Sequence, residues 1–155
     1  MLYASRVGAP GARSYRMLSE LLAQAVSDLP EGAAALERTG RQWGGALAAA
    51  VAAGQEPVEA LVGILRSIGF APTVRRRRAG VDVELGHCPF QEVARRDPRV
   101  VCTLHGALIS GALAALGAGL RMADLEAFVK PDLCVARLRR PDAQPVAAPE
   151  RARRR

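Results

Sequence analysis

The sequence predicts an α+β domain: N-terminal helices followed by a small antiparallel sheet, in the order β-β-α-α-β-β, packed on helices. Three observations carry this expectation. Up to residue 69 the apolar residues recur at three- and four-residue steps, the helical period. At residue 70 the period drops to two, the mark of a half-buried strand. A further apolar helical stretch near residue 100 then separates two strand-like regions. With 155 residues, half of them hydrophobic, the chain suits one domain that buries about two-thirds of the surface its unfolded form exposes.

The elements follow in order. Residues 1–12 hold Gly8, Pro10 and Gly11 without a helical period and read as an extended entry. Tyr15, Leu18, Leu21, Leu22, Ala25, Val26 and Leu29 predict a first helix from residue 13, ended by Pro30. A second, Ala-rich helix spans about residues 31–53, with Gly54 as its stop. Gly40, Gly44 and Gly45 weaken it, although small residues also allow a neighbouring helix to approach closely. Pro57 suits a first helical turn, Val58, Leu61, Val62, Leu65 and Ile68 form an apolar face, and Gly69 closes a third helix.

Next, Val81, Val83 and Leu85 alternate with Asp82 and Glu84, and with residues 70–76 they predict a hairpin turning at Ala79-Gly80. Arg75 to Arg78 fall at its expected exposed tip. A short helix over residues 91–96 is broken by Asp97-Pro98, and an apolar helix follows from Val100 to Leu116, ended by Gly117 and Gly119. Residues 120–138 read as two strands around Lys130-Pro131-Asp132. The domain is thus expected over residues 13–140, and residues 141–155 as a disordered basic tail.

Composition narrows the function classes. Aromatics are only 4%, so the core must be aliphatic. No apolar run of about 18 residues is evident for a membrane span, and no secretion signal opens the chain, so a cytoplasmic protein without membrane contact is expected. The net charge of +7 invites nucleic acid, but the arginines gather in the 75–78 block and in the run from Arg137 to the end. No aromatic residues interleave with them as a single-strand stacking platform requires, and a solvated turn and tail explain the same pattern. Enzyme signatures are missing too: there is no nucleophile elbow, phosphate loop, dinucleotide fingerprint or HExxH zinc motif.

The residues that concentrate chemistry are three cysteines and a histidine. Cys88 stands where a strand gives way to a helix, Cys102 lies near the start of the long helix, and His105 follows one turn later on the same face. Cys134 falls in the last strand. If that strand pairs beside residues 81–85 with the long helix across it, all four groups converge. Thiolate and imidazole bind zinc, and thiolates hold iron–sulfur clusters. Spacing alone leaves two bland alternatives open: three unrelated core thiols, and His105 as a satisfied core histidine. A Cys102–His105 nucleophilic dyad lacks a third, orienting group.

The stretch Val83-Glu84-Leu85-Gly86-His87-Cys88-Pro89-Phe90, with Val93-Ala94, Pro98, Val101-Cys102 and Leu133-Cys134-Val135-Ala136, resembles the C-terminal effector region of ArsR-like and Suf-operon-repressor-type winged-helix regulators. That resemblance implies the sensor domain of a transcriptional regulator, not an enzyme. It implies an iron–sulfur cluster, or zinc, on Cys88, Cys102 and Cys134, with His105 as a fourth ligand. It also implies a homodimer through the first helix. Residues 2–5 and 13–16 look like the end of a wing and its linker helix. DNA would be met only through a winged-helix domain that this chain does not contain. The layout is similar as well to vinyl-reductase-type domains, in which an apolar pocket holds a small organic ligand and cysteines are structural.

Overall fold

A computed structural model describes residues 10–141. The helices are α1 (Pro10–Ser27), α2 (Gly32–Ala49), α3 (Pro57–Ser67), α4 (Gln91–Arg96) and α5 (Pro98–Ala115). The strands are β1 (Ala71–Arg77), β2 (Gly80–Gly86), β3 (Arg121–Lys130) and β4 (Leu133–Arg139). The chain is therefore α+β as expected, helices first, then one antiparallel sheet in the order β1-β2-β4-β3 with α4 and α5 inserted between its halves.

Local chemistry accounts for the boundaries. The Glu56 carboxylate accepts the Glu59 N–H at 3.0 Å ahead of Pro57, and Asp97 accepts the Val100 N–H at 3.3 Å ahead of Pro98. Both helices thus open with a side-chain cap and a first-turn proline that has no N–H to leave unpaired. Helix α1 begins at Pro10, three residues before the periodicity starts, for the same reason. Helix α2 ends at Ala49 rather than near Gly54, which sits at φ +88° in the turn before α3. Residues 1–9 and 142–155, the expected entry and basic tail, lie outside the described residues.

The register sets the sheet's two faces. Val81 pairs with Leu138, Val83 with Ala136 and Leu85 with Cys134, so these six share the face turned to the helices. Five of them are fully buried or nearly so and join Leu61, Leu65, Ile109 and Leu113 in the core. The opposite face is a ladder of charge. Arg75 meets Glu84, Arg77 and Arg139 both meet Asp82, and Arg137 bridges Asp124 and Glu126.

Arg75 to Arg78 are exposed as expected, but Arg75 and Arg77 are strand residues engaged across the hairpin rather than free at its tip, and Asp82 is buried beside them. Burial pushes the Asp82 carboxyl up, but hydrogen bonds and charge from Arg77 and Arg139 outweigh it and hold the pKa below its usual value.

Helix α5 is the hub. Its mean hydropathy of 1.2 over 18 residues makes it long and apolar enough to cross a membrane, against the expectation from the sequence. In the fold that apolarity is spent between two partners, the sheet and α2. On the sheet side, Gly106 lies beside Leu125 of β3. On the other, the backbones nearly touch: a Cβ on Gly40 would lie 2.5 Å from the Leu104 carbonyl oxygen, one on Gly44 would overlap that of Leu108, and one on Gly111 that of Arg41. Gly40, Gly44 and Ala48 recur every four residues and so form one stripe along α2. The glycines that weaken α2 as an isolated helix are what let it dock.

Candidate functional site

Between α1, α2, α4 and α5 lies a cavity of about 940 Å³, open on one side. Leu22, Leu36, Leu47, Val100, Val101, Leu104 and Leu108 are among the apolar residues that line it. Tyr15, Trp43 and Phe90 also line it and are 74%, 63% and 47% exposed, which places them at its rim. The volume lies toward the upper end for small-molecule pockets.

Its polar groups are few, and most are already engaged. Arg16 contacts Glu92 at 2.9 Å and Glu20 at 3.0 Å, so the cation and the carboxylate of the lining hold each other. The Ser19 hydroxyl donates to the Tyr15 carbonyl at 2.7 Å, and the Gln91 amide to the Pro131 carbonyl at 3.0 Å.

His105 differs. It lines the cavity from α5, stacks face to face on Phe70 with ring centroids 4.4 Å apart, and has a buried Nε2 without a hydrogen-bond partner. Burial lowers its pKa to about 4, so the ring is neutral at physiological pH.

The three cysteines lie on different elements: Cys88 after β2, Cys102 on α5 and Cys134 in β4. Cys88 follows the β2 exit, where His87 adopts φ +53° and donates its N–H to the Asp132 carbonyl at 3.2 Å. Cys134 sits across from Leu85, and its Sγ accepts the Phe128 N–H at 3.4 Å, Phe128 itself being at φ +51°. The Arg95 guanidinium donates to the Pro131 carbonyl at 2.6 Å and lies over the Phe128 ring, fastening α4 to the β3–β4 turn.

Burial raises the pKa of Cys102, and the charges of Cys134 and Cys88 raise it further; burial likewise raises Cys88, with a smaller push from Cys134. Among the described residues the three thiols are not clustered as a group that could hold an ion, so the convergence expected from pairing β4 beside β2 is not found.

His105 does not join the thiols either. Burial is the one cause of its shift, with no contribution from a thiol, and its ring is committed to Phe70 and the cavity. Helical spacing put Cys102 and His105 near each other along α5, but packing sends them to different surroundings. As placed, the expected ligands do not make a metal site: among the described residues no group of three or more His, Cys, Asp or Glu side chains is arranged to hold an ion. All three cysteines are half-buried free thiols.

The cavity itself went unread in the sequence. Its traces were there: α1 brings Tyr15, Leu22 and Val26 to the lining, and the single tryptophan stands in an otherwise Ala-rich helix. Compared with protein-family models, curated proteins and solved structures, the chain matches none.

Proposed function

We propose that the chain is a sensor domain that binds a small organic molecule in the apolar cavity between α1, α2, α4 and α5. The observation that carries this reading is the cavity: large, mainly apolar, open on one side, with the charged pair of its lining already satisfied. A pocket of convergent apolar walls with a few polar groups is the usual form of a small-molecule site. On this reading the cysteines are structural, and the domain serves as the effector of a cytoplasmic, homodimeric transcriptional regulator whose DNA contacts come from a winged-helix domain on another part of the protein.

The test is binding of a neutral environment-sensitive fluorophore, N-phenyl-1-naphthylamine. Saturable one-to-one enhancement is expected in the wild type, and its loss in Val101→Trp, which fills the cavity. Enhancement that never saturates, or that survives the Trp unchanged, would refute the reading.

A second reading, an iron–sulfur cluster or zinc on Cys88, Cys102 and Cys134, rests on the sequence resemblance alone, since the three thiols are not clustered among the described residues. Metal and sulfide content after purification without oxygen separates the two: a colourless protein lacking both leaves the cavity reading, and stoichiometric iron or zinc lost on Cys134→Ser reverses the order.

A further inference from the structure

From the way α1 is set into the fold we infer that its outward side is an interface for a second copy of this chain, made by α1 packing on α1 of the copy. This gives the homodimer of the proposed function a surface. It rests on that part of the reading and is independent of the cavity.

A helix on the surface of a domain normally turns its apolar stripe inward and its charges to solvent. Helix α1 does the reverse. Toward α4 it presents Arg16 and Glu20, which pair with Glu92 and Arg96 at 2.9 Å each, and beside them the small, buried Ala23. Toward solvent it presents Leu18, Leu21 and Leu22, and Leu29 continues the row in the turn that follows, each 49–58% exposed.

The spacing says what kind of partner covers this row. Tyr15, Leu18, Leu22, Ala25 and Leu29 stand at alternating steps of three and four, the pattern by which one helix meets another along a seam. The occupant is therefore a helix with a seam of its own, and α1 of a second copy is such a helix. Of the nine large apolar side chains exposed among the described residues, six belong to this segment: Tyr15, Met17, Leu18, Leu21, Leu22 and Leu29. The other three, Trp43, Phe90 and Val129, stand on separate elements, so no other face of the chain offers a match.

Area and charge agree with a second copy. The six side chains together expose on the order of 800 Å², about what one partner gives to a standard interface. Arg16 and Glu20 are already paired within the chain, and Asp28 lies at the margin of the row, where it stays in water. A copy thus docks without burying a lone charge.

The experiment is sedimentation equilibrium of the wild type and of two variants, Leu21→Glu and Leu21→Lys, alone and mixed. Leu21 lies near the middle of the row, so in a two-fold pair it comes close to its own copy. The wild type is expected to dimerise with micromolar affinity. Either variant alone sets like charges against each other and should raise the dissociation constant by roughly a hundredfold. The equimolar mixture sets opposite charges against each other and should recover most of the lost affinity. Recovery itself requires both variants to be folded, which circular dichroism checks. If either charge disturbs the fold, the uncharged Leu21→Gln is still expected to weaken the dimer roughly tenfold.

The failures are distinguishable. A wild type that stays monomeric at roughly tens of micromolar overturns the interface and the homodimer together. A dimer that Leu21→Glu leaves intact, or one weakened by both variants without recovery in the mixture, overturns pairing through α1 and leaves a homodimer through another surface. Wild-type monomers that bind phosphatidylcholine vesicles, and lose that binding in Leu21→Glu, assign the row to a lipid surface and overturn the inference. Fluorophore binding reports on the cavity alone, so its absence refutes the cavity reading without touching the interface.

Discussion

Helices α1 and α2 are both 18 residues long and both wall the cavity, yet they are held in opposite ways. Helix α2 is locked to α5 backbone against backbone through Gly40, Gly44 and Gly111. Helix α1 buries Ala23 and leaves Tyr15, Met17, Leu18, Leu21 and Leu22 about half exposed or more. Its charged links to the rest of the chain are surface ion pairs, Arg16 with Glu92 and Glu20 with Arg96. Exposed pairs of this kind contribute little to stability. The cavity therefore has one fixed wall and one compliant wall, and under the proposed function that contrast would let a ligand of variable shape enter without disturbing the core.

The largest expected effect tests the fixed wall. Gly44→Val puts side-chain atoms where the Leu108 carbonyl already lies, and neither helix backbone can retreat without opening the core. A loss of about 3 kcal/mol is expected in urea unfolding, at the upper end for overpacking. Gly45, one residue along, has open space around its Cβ position, so Gly45→Ala should be neutral or slightly stabilising. If both variants behave alike, the contrast between the two walls is lost.

Much of this architecture was legible in advance, and the reason is physical. Strand alternation at Val81, Val83 and Leu85, the first-turn Pro57, the break at Asp97-Pro98 and apolar helical faces are local signals, and each produced its element within a few residues. The pairing of β4 with β2 could also be anticipated.

What was not legible depends on which neighbours meet across space. Asp82 reads as an outward strand residue and is outward, but two arginines from different strands cover it. His105 reads as the helical neighbour of Cys102, yet Phe70, 35 positions away in sequence, takes its ring. Nothing in the local pattern around either residue encodes that partner.

Acid titration sharpens the comparison of buried groups on the two sides of the sheet. The unfolded His105 titrates near pH 6.5 and the folded one near 4, so the unfolded chain binds the extra proton first. Stability should fall as pH drops from about 6.5 to about 4, by on the order of 3 kcal/mol, and His105→Phe should flatten that slope.

Asp82 acts in a lower window. Its folded pKa is depressed, so its contribution is present above about pH 4, the ordinary carboxylate range, and lost as pH falls further. Arg77→Ser, which leaves Asp82 partly unpaired, should cost about 1–3 kcal/mol at pH 7, and the deficit should shrink once Asp82 is protonated. Equal deficits at pH 7 and at pH 3 would show that Arg77 contributes by packing rather than by charge.

The smallest effect on stability, and the one that asks most of the compliant wall, is expected at Leu21. This side chain is 58% exposed and is not part of the cavity lining, unlike Tyr15 and Leu22 on the same helix. Within a single chain Leu21→Ser should change stability by less than about 0.5 kcal/mol, because an exposed residue away from caps and pairs has little to lose. A homodimer through α1 changes that outcome. Apolar residues on the side of α1 turned from the cavity would then be covered by a second copy, and Leu21→Ser should weaken self-association while leaving fluorophore binding as in the wild type. Sedimentation equilibrium at several concentrations separates the two effects, since a dimer term depends on protein concentration and an intrachain term does not. A monodisperse monomer at roughly tens of micromolar, where even a weak dimer of micromolar affinity would populate, would remove the dimer and leave α1 as a wall held by the small contact at Ala23 and by surface charge.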